Sequence, residues 1–583
     1  MSTIFVEDKT KDQQELVEAV TKKGSHDDSS IDGAAQDYIA KFLDMSNEAK
    51  ENDQKEKTMP LKEGLRTFPK AIMWSLILST ALIMEGYDLT LLNSMYGFDA
   101  FNRKFGDYFP SIGKYQVPAK WQTGIAMAYS CGQLIGLYIA GYAADIYGYR
   151  KTLMTSLASC VGLIFIQFFA PNRTVLLVAY LLLGINWGAY QTITVTYASE
   201  VAPTTLRVYL TTYVNICWVI GQLIASCVLK GVSNLEGFNV YRIPYAIQWA
   251  WPIPLFIGVY LAPESPWYLV KSGRDEEAKV SLTRLLSENP DLPNKDVLAS
   301  AMLTKIKMTV KEEANEDGKT ASIFECFKGT NLRRTRVACF TWMFQSITGG
   351  SLMGYSTYFF IQAGLSDSNA FTFSIIMYIL GILGTIASWF LSRRFGRFTI
   401  YFSGLVTMGV ILIIVGGLGF KNSSGSSWAV GGLLLFFTLI YDMSIGPLTF
   451  CIVPEIPSAK LRTKTVMLSR NLYNLANIII AIIMPYMLNP TAWNWSAKSG
   501  LLFAGFAFIG ATWAWFDLPE TKDRTFAELD QLFTQNIKAR DFKTTEVDVF
   551  DAGHLIHKLG NENIKSFVQQ TEHRENANPG EKA

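Results

Sequence analysis

Apolar runs of about twenty residues recur along this chain, at 71–93, 121–144, 151–170, 175–199, 206–229 and 242–262, and again at 336–363, 370–393, 398–418, 427–452, 464–488 and 497–517. At roughly 1.5 Å per residue each is long enough to cross a hydrocarbon core of about 30 Å. Lipid offers no partner to an unpaired amide, and barrel strands are about half this length, so such runs can only be helices. The chain is therefore expected to be an all-α membrane protein of twelve transmembrane helices, six on either side of a polar stretch at 263–335. The first run carries two carboxylates, Glu85 and Asp88, on one helical face. Each costs about 2.5 to 3.5 kcal/mol at the centre of an isolated spanning helix, so both must face protein or water.

Charges at the ends of the runs orient them. Arg150, Lys151, Arg207, the cluster Arg333, Arg334 and Arg336, then Arg393, Arg394, Arg397, Lys460, Arg462 and Lys464 fall in alternate loops, which the positive-inside rule assigns to the cytosol. Arg103, Lys104, Lys114 and Lys120 break the pattern in the first outer loop, diluted there by Asp99 and Asp107. The predicted order is a disordered cytosolic tail over 1–70, a six-helix bundle over 71–262, a cytosolic connector with short helices over 263–335, a second six-helix bundle over 336–517 and a cytosolic tail over 518–583. The opening residues are too polar for a secretory leader. Within the connector, RDEEAKVSLTRLLSE (274–288) has the periodicity of an amphipathic helix. Sequons at Asn172, Asn422 and Asn494 fall in outer loops whose shortness argues against glycosylation.

The two halves repeat each other. EVAPTTLR (Glu200 to Arg207) returns as EIPSAKLR (Glu455 to Arg462) after the fourth span of each half, PES (263–265) as PET (519–521) after the sixth, and DIYGYRK (145–151) more weakly as RRFGR (393–397) after the second. Parallel repeats of six spans are the architecture of a carrier that rocks about a central site.

Composition removes other classes. With 49% hydrophobic and 17% charged residues the chain is a poor soluble enzyme, and its formal charge of +2 leaves no basic patch for nucleic acid. It has seven cysteines, of which Cys131, Cys160, Cys217, Cys227, Cys339 and Cys451 fall in apolar runs, and four scattered histidines. Neither set reads as a disulfide framework, a metal site or a cofactor site.

Together these residues bring a family into view. The motifs GYAADIYGYRK, TYASEVAPTTLR, PESPWYLV, GPLTFCIVPEIPSAKLR and LPETKDRTF resemble the sugar-porter branch of the major facilitator superfamily. EGYDLTLLNSMYGF, YLTTYVNICWVIGQLIA, GYSTYFFIQAG, LRTKTVMLSRNLYN and WNWSAKSG resemble the fungal α-glucoside (maltose-type) permeases within it, and the likeness runs from about 60 to 540. It implies the major facilitator fold, with twelve transmembrane helices in two pseudo-symmetric six-helix bundles. The sequence also departs from many sugar porters: Tyr180 stands where they have Arg, Arg393 where the second-half DxxGR signature has Asp, and Asn215, Phe450 and Ser351 where they often have Gln, Trp and Asn. Contacts made by those family residues are not carried over.

Buried carboxylates can exchange a proton near the working pH because desolvation disfavours their charged form. Asp88 matches the Gly-Tyr-Asp position that binds the proton in proton-coupled sugar porters, and Glu85 is an addition seen in the maltose-type group; the alternative is that both are structural acids. Arg470 is a candidate cation for Asp88, and Asp442 in the tenth span is a further acid without an assigned role. On the fifth span Thr211, Asn215, Trp218 and Gln222 form one stripe of amides and an aromatic ring, a mixture suited to sugar hydroxyls and the apolar face of a pyranose. Gln345, Thr348 and Tyr355 on the seventh span, Asn471 and Asn474 on the eleventh, and Asn186, Tyr190 and Gln191 on the fourth form similar stripes. Interhelical hydrogen bonding explains any one of these equally well. The expected sugar contacts are Gln345, Gln222, Asn215, Asn474, Trp218, Tyr355 and Thr211. Asp145, Arg150, Glu200, Arg207, Glu264, Glu455, Arg462 and Glu520 look like the family's inner charge network, which closes the cytosolic gate.

The reading is a monomeric plasma-membrane symporter, with both termini cytosolic, that imports an α-glucoside with a proton. Maltose leads, with maltotriose, trehalose, sucrose and turanose as further substrates. A facilitative sugar uniporter and a non-transporting sugar sensor are the rivals. The lysine-rich N-terminal tail offers sites for ubiquitin-dependent turnover.

Overall fold

The computed structural model describes residues 59–547 apart from 110–113, 233–234, 236, 288–294, 314–321, 351–352, 354–366, 421–423, 489–492 and 494. Each predicted apolar run contains helix among the described residues. The first span is Pro69–Ser79 continued by Ala81–Ser94, and the second to fifth are Ala119–Tyr147, Tyr149–Phe168, Arg173–Val201 and Thr204–Val232. The sixth is broken into Asn239–Ile247 and Pro252–Leu261 about a 3-10 turn at Gln248–Ala250. The second half follows with Gly329–Ile347, Asp367–Arg394, Arg397–Leu418, a tenth span broken into Ser424–Met443 and Ile445–Glu455, then Arg462–Leu488 and Ser499–Asp517. Among the described residues, ten helices are long and apolar enough to cross a membrane on those grounds alone. The sixth fails through its break and the seventh through its charged start.

Proline explains both breaks. Pro244 lies inside the first segment of the sixth span and Pro252 opens the second, and each lacks the N–H that an unbroken helix would use. The Pro244 carbonyl is left to accept from the Tyr87 hydroxyl at 2.9 Å. In the tenth span Pro447 has no N–H to give Met443, where the helix stops, and Ser444 takes φ −129° and ψ −89°.

The seventh span starts at Gly329, before the expected boundary at 336, because its arginines find partners in the segment 517–537. Arg334 pairs with Asp530 at 2.5 Å, Arg336 with Asp517 at 2.7 Å, and Arg333 donates to the Ile537 carbonyl at 2.7 Å. Short helices at Pro266–Lys271, Asp275–Leu285, Lys295–Glu313 and Phe526–Thr534 cover this end of the molecule, the second of them within the amphipathic stretch. At the opposite end a two-stranded hairpin, Asp107–Phe109 against Lys114–Gln116, was not foreseen in an all-helical reading.

Buried side chains fall into two main apolar clusters that follow the sequence repeat, one dominated by residues 68–306 and the other by 337–542. Close helix approaches position the site. A Cβ on Gly86 would lie 2.1 Å from the Trp218 carbonyl oxygen, and one on Gly221 2.1 Å from that of Ile83, so the first and fifth spans touch backbone to backbone beside Glu85.

Candidate functional site

Asp88 is fully buried and held within the first half. Its Oδ1 accepts from Gln167 Nε2 at 3.1 Å (third span) and Gln248 Nε2 at 3.0 Å, and its Oδ2 from Trp187 Nε1 at 3.1 Å (fourth span). Gln248 reaches it from the break in the sixth span, which gives that break a purpose. Tyr180, the residue found in place of Arg, shares a 3.3 Å hydroxyl contact with Tyr245.

Glu85, one turn earlier, faces the seam between the halves. Its Oε1 accepts from Gln133 Nε2 at 3.1 Å and from Gln191 Nε2. Gln191 in turn accepts from Arg470 Nε at 2.8 Å, and that guanidinium lies 4.1 Å from the centre of the Tyr473 ring and 5.2 Å from that of Trp342. The expected cation therefore serves Glu85 rather than Asp88, and it does so through an amide from the other half.

Around this relay lie polar atoms with no hydrogen-bond partner among the described residues: Tyr129 Oη, Trp342 Nε1, Gln345 Oε1, both amide atoms of Asn471 and Asn474 Nδ2, while the Trp218 ring N–H is directed at Glu85. Tyr129 faces both acids as well as Arg470 and Tyr473, and Trp342 packs edge-on against Phe450 at 5.9 Å. Buried polar atoms in native proteins are normally paired, so this concentration along the second, seventh and eleventh spans is what a wall for polyhydroxylated cargo requires. Gln345 is also anchored, its Nε2 donating to the Gly446 carbonyl at 2.9 Å.

The remaining predicted contacts lie elsewhere on the same helices. Gln222 is half-buried, its backbone nitrogen against Gly86. Asn215 donates to Asp442 Oδ1 at 3.0 Å and to Thr385 Oγ1 at 3.2 Å, and Thr211 donates to the Arg207 carbonyl at 2.8 Å. Tyr355 and Ser351 lie outside the described residues, as do the sequons at Asn422 and Asn494. Asn172 caps the fourth span by accepting from the Val175 amide. Asn186 accepts from Ser156 and Ser159, both at 2.8 Å, tying the third span to the fourth. Sequence reasoning missed Tyr129, Trp342 and the glutamines at 133, 167 and 248. Their signal was an amide or ring polar group inside an apolar run.

The charged residues tie the halves at the end covered by the short helices. Lys464 meets Asp145 at 2.5 Å, Arg462 meets Glu200 at 3.3 Å, and the Tyr149 hydroxyl bridges Glu200 at 3.2 Å and Thr463 at 3.1 Å. Lys271 stands 3.8 Å from Glu200. Glu264 accepts from the Tyr149 and Arg150 amides at 3.1 and 3.2 Å, capping the third span, and Glu520 accepts from the Arg397 amide at 2.8 Å, capping the ninth. Burial pushes the Glu264 carboxyl above its usual range, against the pull of those amides and that of Ser265. Glu455 meets Arg397 at 3.5 Å and accepts from Thr521 at 2.7 Å. Arg150 packs on Tyr260, while Arg207 and Arg462 both stack on Phe526, at 3.8 and 3.7 Å from the ring centre.

A family model described as sugar (and other) transporter matches residues 74–533. The chain belongs to the sugar transporter family. This transporter is 44% identical over 561 residues to the general alpha-glucoside permease of Saccharomyces cerevisiae strain S288c, covering 95% of this chain and 90% of that one. It is 44% identical over 508 residues to the maltose permease MAL61 of the same species, with coverages of 87% and 82%. Among solved structures, the proton:xylose symporter XylE bound to 6-bromo-6-deoxy-D-glucose superposes with a TM-score of 0.70 at 19% identity, over 80% of this chain and all of that one. The inward-open conformation of XylE from E. coli gives 0.59, over 79% and 99%. The transporter is thus a multi-pass membrane protein with the major facilitator fold, and a carrier rather than an enzyme.

Proposed function

We propose that this transporter imports α-glucoside disaccharides, maltose first, together with a proton, by alternating access at the plasma membrane with both tails in the cytosol. The observation that carries the reading is the chain Glu85–Gln191–Arg470, which crosses from one half to the other beside the unsatisfied polar wall. A proton on Glu85 removes the charge that Gln191 and Arg470 hold, and weakens the tie between bodies that must separate. Sugar hydroxyls then complete the bonding of Gln345 and Asn474, so cargo and proton favour the same rearrangement. Asp145–Lys464 and Glu200–Arg462 close the opposite, cytosolic gate, and opening it needs only a few kcal/mol of differential binding. The permease relatives named for α-glucosides and maltose support the choice of sugar.

A proton gradient supplies about 1.4 kcal/mol per pH unit and the membrane potential about 2.3 kcal/mol per 100 mV, enough to concentrate a neutral disaccharide. One observation favours the facilitative rival: Asp88 has three donors inside a single half, as a structural acid would. Labelled maltose uptake by transporter-deficient cells, recorded with the pH of an unbuffered suspension, separates the readings. Symport predicts uphill accumulation with alkalinisation, and loss of accumulation in Asp88→Asn with some exchange retained. Maltose entry with no proton movement would favour the uniporter, and no entry of any α-glucoside the sensor.

A further inference from the structure

Eight residues after the arginine of each repeated motif, Arg207 and Arg462, the halves place Asn215 and Arg470. Both side chains reach across to the other half, Asn215 to an acid and Arg470 to the amide that holds one. Arg470 arrives at Glu85 through Gln191, on the seam between the fourth and eleventh spans. Asn215 arrives at Asp442 directly, on the seam between the fifth and tenth, and also touches Thr385 of the eighth. Asp442 is only 4% exposed and sits two residues before the break at Ser444.

What faces Asp442 differs from what faces Glu85. The fifth span presents Asn215 and, nearby, Val219; the eighth presents Gly381, Gly384 and Thr385, the glycines so close that a Cβ on Gly381 would lie 2.8 Å from Asp442 Oδ2. From the seventh span Gln345 is turned to the Gly446 carbonyl, and on the tenth the neighbouring titratable group is Tyr441, which also senses Arg470 and Tyr473. Along the fifth span the cations are Arg207, eight residues or about 12 Å from Asn215 and stacked on Phe526, and Lys230, fifteen residues or about 22 Å away and donating to Thr372. Arg470 offsets the charge of Glu85 on its seam, whereas Asp442 meets an amide and a hydroxyl. An intramembrane carboxylate with neutral partners is neutralised most cheaply by a proton.

Building on the symport reading above, we propose that Asp442 is a further proton-binding group of this transporter, outside the first span, controlling the seam between the fifth and tenth spans. Ionised, it holds Asn215 by a charge-assisted bond; protonated, it holds it more weakly and the seam can part. The proton comes from water on the side the chamber faces and returns to water on the other, with no bond made or broken besides O–H.

The test uses full-length transporter in proteoliposomes and the α-glucoside that the wild type takes up fastest, recording sugar and proton uptake against external pH. A single limiting proton makes uptake vary by up to about tenfold per pH unit on its steep limb. Asp442→Asn is nearly isosteric and should keep sugar exchange while the wild-type slope, steeper than tenfold when two protonations limit, falls to about tenfold per pH unit. Asn215→Ala keeps the acid but removes the donor to its charged form, and should move the pH of half-maximal uptake upward. A wild-type slope in Asp442→Asn, or a partial loss of uptake that is equal at every pH, overturns the proposal. Should Asp442→Asn be inert throughout, Asn215→Ala decides: a shifted profile supports the role and an unmoved one overturns it. Sugar uptake without protons in the wild type would instead remove the symport reading, and this proposal with it.

Discussion

Glu85 and Asp88 are the same functional group three residues apart on one helix, yet they belong to different mechanical parts of the molecule. Every hydrogen-bonding partner of Asp88 described above, Gln167, Trp187 and Gln248, lies in the first half and moves with it. Glu85 shares Gln191 with Arg470, and Arg470 belongs to the second half. A proton can report on the relative position of two bodies only through a group that both of them hold. On that criterion the proposed symport assigns the direct coupling of protonation to rocking to Glu85, and to Asp88 an effect through the shape of its own bundle.

The comparison breaks most readily at Arg470. Removing one partner of a buried charged set costs about 3 to 5 kcal/mol, so Arg470→Leu should lower the thermal stability of the purified transporter severely. Combining it with Glu85→Gln should recover part of that loss, a coupling of about 0.5 to 3 kcal/mol, whereas the combination with Asp88→Asn should be additive within about 0.5 kcal/mol. Equal coupling to both acids would erase the distinction. A smaller effect sharpens it from the other side: Trp187→Phe removes one donor to a carboxylate and should cost about 1.5 to 3 kcal/mol in stability, with the same loss whether residue 470 is Arg or Leu.

Much of the fold was legible because lipid imposes a length rule on every span and the repeated acid-to-arginine motif announces the two halves. Boundaries were less so where a helix leaves the membrane: nothing local in Arg333, Arg334 and Arg336 says that the tail at 517–537 will receive them. The breaks at 244–252 and 443–447 were visible as prolines, but not the side chains they would re-aim. At the site, the acids and the stripe on the fifth span were readable as polar groups in apolar runs. Their pairing was not, since Gln133, Gln167 and Gln248 reach the acids from other helices at separations set by the packing of Gly86, Gly221 and their neighbours. The family resemblance likewise marked Asp145 as an expected gate residue without revealing that Lys464 would be its partner across the halves.

The most direct test of the cross-seam relay is proton flux driven by a maltose gradient in proteoliposomes, comparing wild type with Glu85→Gln. The wild type should carry protons down with the sugar, and the variant should exchange maltose while moving none. Proton flux of wild-type size in the variant would show that Glu85 is only a structural acid between the halves.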